Sequence, residues 1–233
     1  GGSVLAAQDI TDMVAGSGGP DDADAEAFPL QIVRSYESSD DGKALVLRFN
    51  LTASKAVRIV DIAAGHGRYI LESLEGQEQR PDSILLRDYS DINVRDGNAL
   101  IQQKDLGDIA RFVKGDAFDR EDLAALDPKP TLAVVSGLYE LFGSNQMVGD
   151  SLAGLAAAVE EGGYLVYTGQ PWHPQLELIA RALTSHRDGQ AWVMRRRSQA
   201  EMDQLVEAAG FRKVAQRIDQ WGIFSVSLAQ RVK

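Results

Sequence analysis

The chain has 233 residues, 44% of them hydrophobic and 25% charged, which suits one substantial globular α/β unit with an attached segment. A formal net charge of −10 argues against tight binding to a nucleic-acid backbone, which needs clustered Lys and Arg. The absence of cysteine excludes disulfides, thiolate metal sites and a cysteine nucleophile, and it points to a reducing, cytoplasmic setting.

The first residues, GGSVLAAQDI, lack the charged-then-apolar plan of a signal peptide, and the leading Gly-Gly-Ser reads as an expression remnant. Nowhere does an apolar run approach the roughly 20 residues that a membrane-spanning helix needs. Residues 14–28, rich in Gly, Ala and Asp, read as an acidic linker. QIVRSY and ALVLRF around an Asp-Gly dipeptide predict a β-hairpin. Residues 1–55 are thus expected to form an N-terminal extension, with the main domain over 56–233.

From residue 56 the texture alternates. Strands are expected at VRIVDIA, SILLRDY, RFVKGDA, TLAVVSG and GYLVYTG, with helices at RYILESL, VRDGNALIQQ, REDLAAL and VGDSLAGLAAAVEE. Short apolar strands separated by helices imply parallel pairing buried on both faces, with right-handed crossovers. A further helix is expected in PQLELIARALTSH, where Leu176, Ile179, Ala180 and Leu183 recur at helical spacing. Another begins at a capping box, Ser198 and Glu201, and stops at Gly210. KVAQRID and GIFSVSLAQRV follow, joined by Gln220-Trp221-Gly222, a link too short for a crossover helix, so they should form an antiparallel hairpin. The expected fold is a Rossmann-like three-layer αβα sandwich, whose seven-stranded, mostly parallel sheet ends in that hairpin.

The chemistry begins at VRIVDIAAGHGRY, where a strand ends at Asp61 and a turn of small residues leads into a helix near Arg68. Small residues let a backbone approach a ligand closely. A dinucleotide fingerprint would place Gly at the third position, where Ile70 stands, so the pattern disfavours NAD while tolerating a nucleoside ligand without phosphates. Taken alone, the turn is a weak signal, and a tight strand-to-helix connection of some other α/β protein is its commoner meaning. Asp88 follows Gly67 by 21 positions and ends the next strand, placed to accept from both ribose hydroxyls or to cap the helix after it. After the third strand, Asp116 could accept from an adenine amino group while the Ala117 N–H meets a ring nitrogen; a capping role is the alternative. With Tyr89 and the first residues after the fourth strand, the cofactor set is Asp61, Ala63, Gly65, Gly67, Asp88, Tyr89, Asp116, Ala117, Ser136 and Gly137.

The fourth strand ends SGLYELF and the fifth YTGQPWHPQ, and these loops flank the place where donor would meet acceptor. From them come Tyr139 and Glu140, able to position an acceptor or a sulfonium, and Gln170, Trp172 and His173. His173 is the candidate general base, since imidazole titrates near neutral pH; an ordinary loop histidine is the alternative. His66 is expected to shape the glycine turn and His186 to lie at a helix end. The run Met194-Arg195-Arg196-Arg197 either binds an acceptor anion or forms a solvated basic corner. Three scattered histidines form no metal set.

VRIVDIAAGHGRYILESL, YTGQPWHPQLELIARAL and MRRRSQAEMDQLVEAAGF together resemble bacterial class I methyltransferase domains that often follow an α/β-hydrolase domain in the same polypeptide. The likeness runs from about Val57 to Val232, roughly three quarters of the chain. It implies S-adenosyl-L-methionine as cofactor, with Asp61, Gly65, Asp88 and Asp116 in binding positions, and a hydrolase domain as a partner. The expected function is methyl transfer to a small-molecule or lipid-like acceptor, with oxygen as the acceptor atom because His173 offers a base. The alternatives are a non-catalytic cofactor-binding module of the same fold and, behind it, an NAD-dependent reductase.

Overall fold

The computed structural model describes residues 31–39, 42–50, 56–75, 80–184, 192–218 and 222–232. The acidic linker at 14–28, the Gln220-Trp221 part of the hairpin link and His186 fall outside them.

Strands β1 (Gln31–Ser39) and β2 (Gly42–Asn50) pair antiparallel as a two-stranded sheet, as the sequence predicts. The main sheet comprises β3 (Arg58–Ile62), β4 (Ser83–Asp88), β5 (Ala110–Lys114), β6 (Leu132–Val135), β7 (Tyr164–Gly169), β8 (Phe211–Ile218) and β9 (Ser225–Arg231). Its seven strands run in the order β5-β4-β3-β6-β7-β9-β8. The first five are parallel; β9 pairs antiparallel with both β7 and β8. The helices are α1 (Arg68–Glu72), α2 (Asp91–Gln103), α3 (Arg120–Ala124), α4 (Asn145–Ala158), α5 (Leu176–Ala182) and α6 (Gln199–Ala208).

Alternation along the central strands divides the core between the two sheet faces. Ile59 joins Ile70, Leu71, Ile84, Leu86 and Phe112 in one cluster, while Val60 and Ile62 join Leu123, Val148, Leu152 and Phe211 in the other. All four residues of β6 are buried, as a strand covered by helices on both faces requires. Short polar side chains start the helices: Ser90 Oγ accepts from the Asn93 amide at 3.4 Å, Asp119 from Glu121 and Asp122 at 3.1 and 3.0 Å, and Ser144 from Met147 at 3.3 Å.

Two expectations need refinement. Ser198 Oγ accepts from the Glu201 amide at 3.2 Å, but the Glu201 carboxylate reaches Arg195 and Asn145 instead of the Ser198 amide, so only half of the capping box forms. The helical spacing of Leu176, Ile179, Ala180 and Leu183 does yield α5, yet no residue of that helix is buried.

The strand order reverses between β3 and β6: the chain leaves β3 toward β4 and β5, then returns to lay β6 and β7 on the other side. Ligands of open α/β sheets bind outside the carboxyl ends at such a switch point. The glycine turn leaves β3 there. Ala63 has φ 55°, a left-handed conformation that L side chains adopt at about 1–2 kcal/mol. Gly67 has φ 68°, and a Cβ on it would lie 2.4 Å from Leu86 Cδ1. Ala63→Gly should therefore stabilise the fold by about 1 kcal/mol, and Gly67→Ala should destabilise it by more than that, both read from urea midpoints.

Candidate functional site

Hydrogen bonds shape the turn after β3. The Ala64 amide donates to the Arg87 carbonyl at 2.9 Å, and the Gly67 amide donates to the Ala64 carbonyl at 2.8 Å. Gly65, at φ 60°, has no atom within 4 Å of where its Cβ would be. Its conformation suits glycine, and the space beside it is open to a ligand.

Asp88 ends β4 and is 9% exposed. Its Oδ2 accepts from the Gly65 amide at 2.9 Å, while Oδ1 accepts from the Ser90 amide at 2.9 Å and from Asn93 Nδ2 at 3.0 Å. The side chain thus ties the glycine turn to the start of α2, although the N-cap of that helix is Ser90. A carboxylate offers about four lone-pair sites, two on each oxygen. Oδ1 is filled and Oδ2 retains one, enough for one further donor rather than two. Asn93, which the sequence reading missed, sits one turn into α2 as the third donor. Tyr89, the next residue, is 73% exposed, and Lys114 Nζ lies 5.7 Å from its ring centroid.

Asp61 is fully buried at the end of β3, between Leu86 of β4 and Val134 of β6. Neither carboxyl oxygen has a well-formed hydrogen bond. Burial holds its pKa well above the ordinary carboxylate value and the nearby Asp88 charge adds to this, whereas the Tyr69 hydroxyl opposes the shift. Asp116 is exposed after β5; its Oδ1 accepts from the Phe118 amide at 2.9 Å, a local turn that leaves Oδ2 outside that bond. Ala117 beside it is buried at 8% exposure.

Across the switch point, Gly137 follows β6 with φ 72°, and its amide donates to Thr168 Oγ1 at 2.8 Å, tying the loop to β7. Ser136, just before it, is half-buried. Tyr139 turns into the core, where its hydroxyl shares a 3.0 Å hydrogen bond with Ser151 Oγ of α4, and burial raises its pKa. Glu140 is also buried, and its carbonyl accepts from the Arg195 amide at 2.8 Å. After β7, Gln170 is buried with Oε1 lacking a partner, while Trp172 is 48% exposed. His173 Nδ1 accepts from the Gln175 amide at 3.1 Å, so the neutral ring carries its proton on Nε2. As placed, the imidazole offers an N–H donor from Nε2.

The arginine run divides three ways. Arg197, 4% exposed, donates to the carbonyls of Tyr139 and Phe142 at 2.6 and 2.9 Å and to Asn145 Oδ1 at 2.7 Å. Burial lowers its pKa. Neither an anion site nor a solvated corner describes it; it braces the loop after β6 from within. Arg195 donates to the Gly143 carbonyl and to Glu201, both at 2.6 Å. Arg196 is exposed. In the glycine turn, half-exposed His66 has Nε2 4.0 Å from Asp96 Oδ2 of α2.

Among the described residues no group of His, Asp and Glu could hold a metal ion, and no helix is long and apolar enough to cross a membrane. A cavity of about 290 Å³ at the amino ends of β3, β4 and β5 lies at the opposite edge from the glycine turn. Open α/β sheets bind at the carboxyl edge, so this cavity is not the candidate site.

The sequence profile of the family described as "Putative methyltransferase" matches residues 43–231. YnbC of Escherichia coli K12 is 63% identical over 176 residues, which are 76% of this chain and 30% of that protein; the chain thus spans under a third of that relative's length. A SAM-dependent methyltransferase from Methanosarcina mazei superposes with TM-score 0.59 at 18% identity, over 77% of this chain and 94% of that one. Magnesium protoporphyrin IX methyltransferase from Synechocystis, solved with bound SAH, gives 0.57 at 14%, over 76% and 74%. At such identities these likenesses establish the fold.

The raised pKa of Asp61 has a thermodynamic sign. A carboxyl that binds its proton more tightly when folded loses stability as pH climbs from about 4, the unfolded value, toward the folded one. The ligand-free melting temperature should fall over that window, and Asp61→Asn should remove this part of the slope. A slope unchanged in the variant would mean that Asp61 is ionised throughout.

Proposed function

This chain belongs to that methyltransferase family, and from that premise we propose that it transfers the methyl group of S-adenosyl-L-methionine to a small-molecule acceptor, with oxygen as the accepting atom. The observation that carries the reading is Asp61: two buried carboxyl oxygens without well-formed hydrogen bonds at the strand-order reversal, near the Asp88 carboxylate that holds the Gly65 amide. A site that ionises only at an energetic disadvantage becomes favourable when a cationic donor fills it. The amino acid ammonium of the cofactor is such a donor.

On this reading each residue has a separate task. Asp61 accepts from the ammonium. Gly65 and Gly67 keep the turn low enough for close approach, with Ala63 at its entry. Asp88 Oδ2 accepts one ribose hydroxyl on its remaining lone pair, and Tyr89 covers the sugar and base edge. Asp116 and the Ala117 amide meet the adenine, while Ser136 and Gly137 border the sulfur side. The cofactor supplies a methyl carbon already activated by a sulfonium. Bound there, it would open that methyl carbon to displacement by the acceptor oxygen, whose proton would pass to solvent water.

Alignment supplies much of the rate in such a displacement. His173 stands in the loop where the acceptor would enter. It serves as a base only if its proton moves to Nδ1, which breaks the bond from Gln175; as placed it orients the acceptor through Nε2–H. Tyr139 and Glu140 shape the loop from beneath, buried as they are. On this reading the catalytic domain spans 56–233 after an extension over 1–55, and the family match reaches back into β2.

The three catalytic candidates give no ready base in this arrangement, an observation that favours a second reading, a non-catalytic module that binds the same cofactor. Transfer of labelled methyl to any acceptor in a screen removes it.

Calorimetric titration with S-adenosylmethionine and S-adenosylhomocysteine should show saturable binding of both; silence from both would sink the proposal. Asp88→Ala should weaken that binding by about 1–3 kcal/mol. Unchanged affinity would reduce Asp88 to its role in the turn. His173→Ala should slow transfer at unaltered cofactor affinity. If His173 orients, His173→Gln restores most of the rate; if it is the base, Gln stays slow by about 100-fold or more.

A further inference from the structure

Two of the three consecutive arginines are committed to bonds within the chain, Arg195 to Gly143 and Glu201, Arg197 to Tyr139, Phe142 and Asn145. Arg196, between them, is exposed and has no hydrogen bond or ion pair among the described residues. It lines a groove of about 350 Å³ between α5 and the segment 192–196. Leu176, Ala180, Val193 and Met194 supply apolar walls, and His173 lines the groove with them. The acidic side chain in the lining, Glu177, is paired with Arg181 at 2.9 Å. The groove is therefore an apolar trough with one uncommitted guanidinium, in a chain whose net charge is −10.

Its position follows from what holds its walls. His173 and α5 come directly after β7, at the carboxyl edge of the sheet. The opposite wall is pinned to the loop after β6, where the Arg195 amide donates to the Glu140 carbonyl at 2.8 Å. A bond from the Trp192 amide to the Leu183 carbonyl, 3.2 Å, joins the two walls. The volume falls within the range of small-molecule sites, about 300–1,000 Å³. Among the described residues nothing covers the flank of α5, with Leu178 59% and Leu183 48% exposed beside Val193 at 64%.

We propose that this groove is the acceptor site and that Arg196 holds an anionic head group, carboxylate or phosphate, on an otherwise apolar acceptor. The inference rests on the methyltransferase reading and names the acceptor's class. A guanidinium matches either anion through two parallel N–H donors, and the low-polarity walls strengthen the pair. The apolar remainder of the acceptor covers α5, which no part of the described chain covers. Arg196 anchors, and the methyl is received elsewhere on the same molecule.

The test uses the full chain and three ten-carbon probes: decanoate, decyl phosphate and decanol. Each is titrated calorimetrically with and without saturating S-adenosylhomocysteine, against the unaltered chain, Arg196→Gln and the exposed control Arg212→Gln. An anionic probe should bind saturably and be weakened about tenfold or more by Arg196→Gln, with no change in Arg212→Gln. Decanol should bind more weakly, and equally to all three. The tighter of decanoate and decyl phosphate identifies the head group. Anion binding that is absent, or equal in Arg196→Gln and the unaltered chain, would overturn the groove. Failure of S-adenosylhomocysteine to bind would instead overturn the cofactor reading, while the titrations without it still judge the groove.

Discussion

Three donors converge on the Asp88 carboxylate, and the geometry of the site depends on that convergence. The Gly65 amide comes from the turn after β3, and the Ser90 amide and Asn93 side chain come from the start of α2. Parallel strands align their carboxyl ends, but they do not determine how the loops beyond them sit. A buried carboxylate with charge-assisted bonds to both loops does so, because each bond is stronger than its neutral counterpart and water competes poorly for it. The same group thereby places its negative charge near Asp61, whose own carboxyl resists ionisation in part for that reason.

The carboxyl edge consequently has two halves of different construction. On the β3, β4 and β5 side stand the carboxyl groups of Asp61, Asp88 and Asp116, with the amides of the glycine turn already bonded within the chain. On the β6 and β7 side, Arg197 and Thr168 hold the loops by bonds to backbone groups, leaving the outward faces to Trp172, His173 and Arg196. The first half is fixed by the bonds that meet at Asp88. The second is a brace on which exposed side chains can vary without disturbing the fold, the usual division between scaffold and binding loops.

Much of this was legible in the sequence because it rests on local rules. Apolar runs of strand length between helical stretches indicated the parallel sheet, and the short link before GIFSVSLAQRV indicated the antiparallel ending. That Asp61, Asp88 and Asp116 lie at or just beyond strand ends was legible because each ends or follows an apolar run. What escaped was set by tertiary contact. Nothing in Met194-Arg195-Arg196-Arg197 shows which guanidinium will be drawn inward, since that depends on carbonyls of Tyr139 and Phe142 more than fifty positions earlier. The phenol of Tyr139 was legible as aromatic but not as inward-facing, because its partner Ser151 lies on the next helix. The tautomer of His173 depends on the Gln175 amide, whose direction follows from the path of the loop.

The place of β9 in the sheet has a consequence for biosynthesis. It lies between β7 and β8, so the strand that follows both in the chain fills an interior slot, and its two neighbours wait for it with unpaired edges. While the ribosome is still translating, β3 to β7 can gather with their helices, but β8 has no partner until residues 225–231 emerge. The half-assembled sheet exposes the free edge of β7, a template for pairing with another chain. Completion of the sheet is therefore late, and a nascent domain halted before β9 is a species for chaperones to shield.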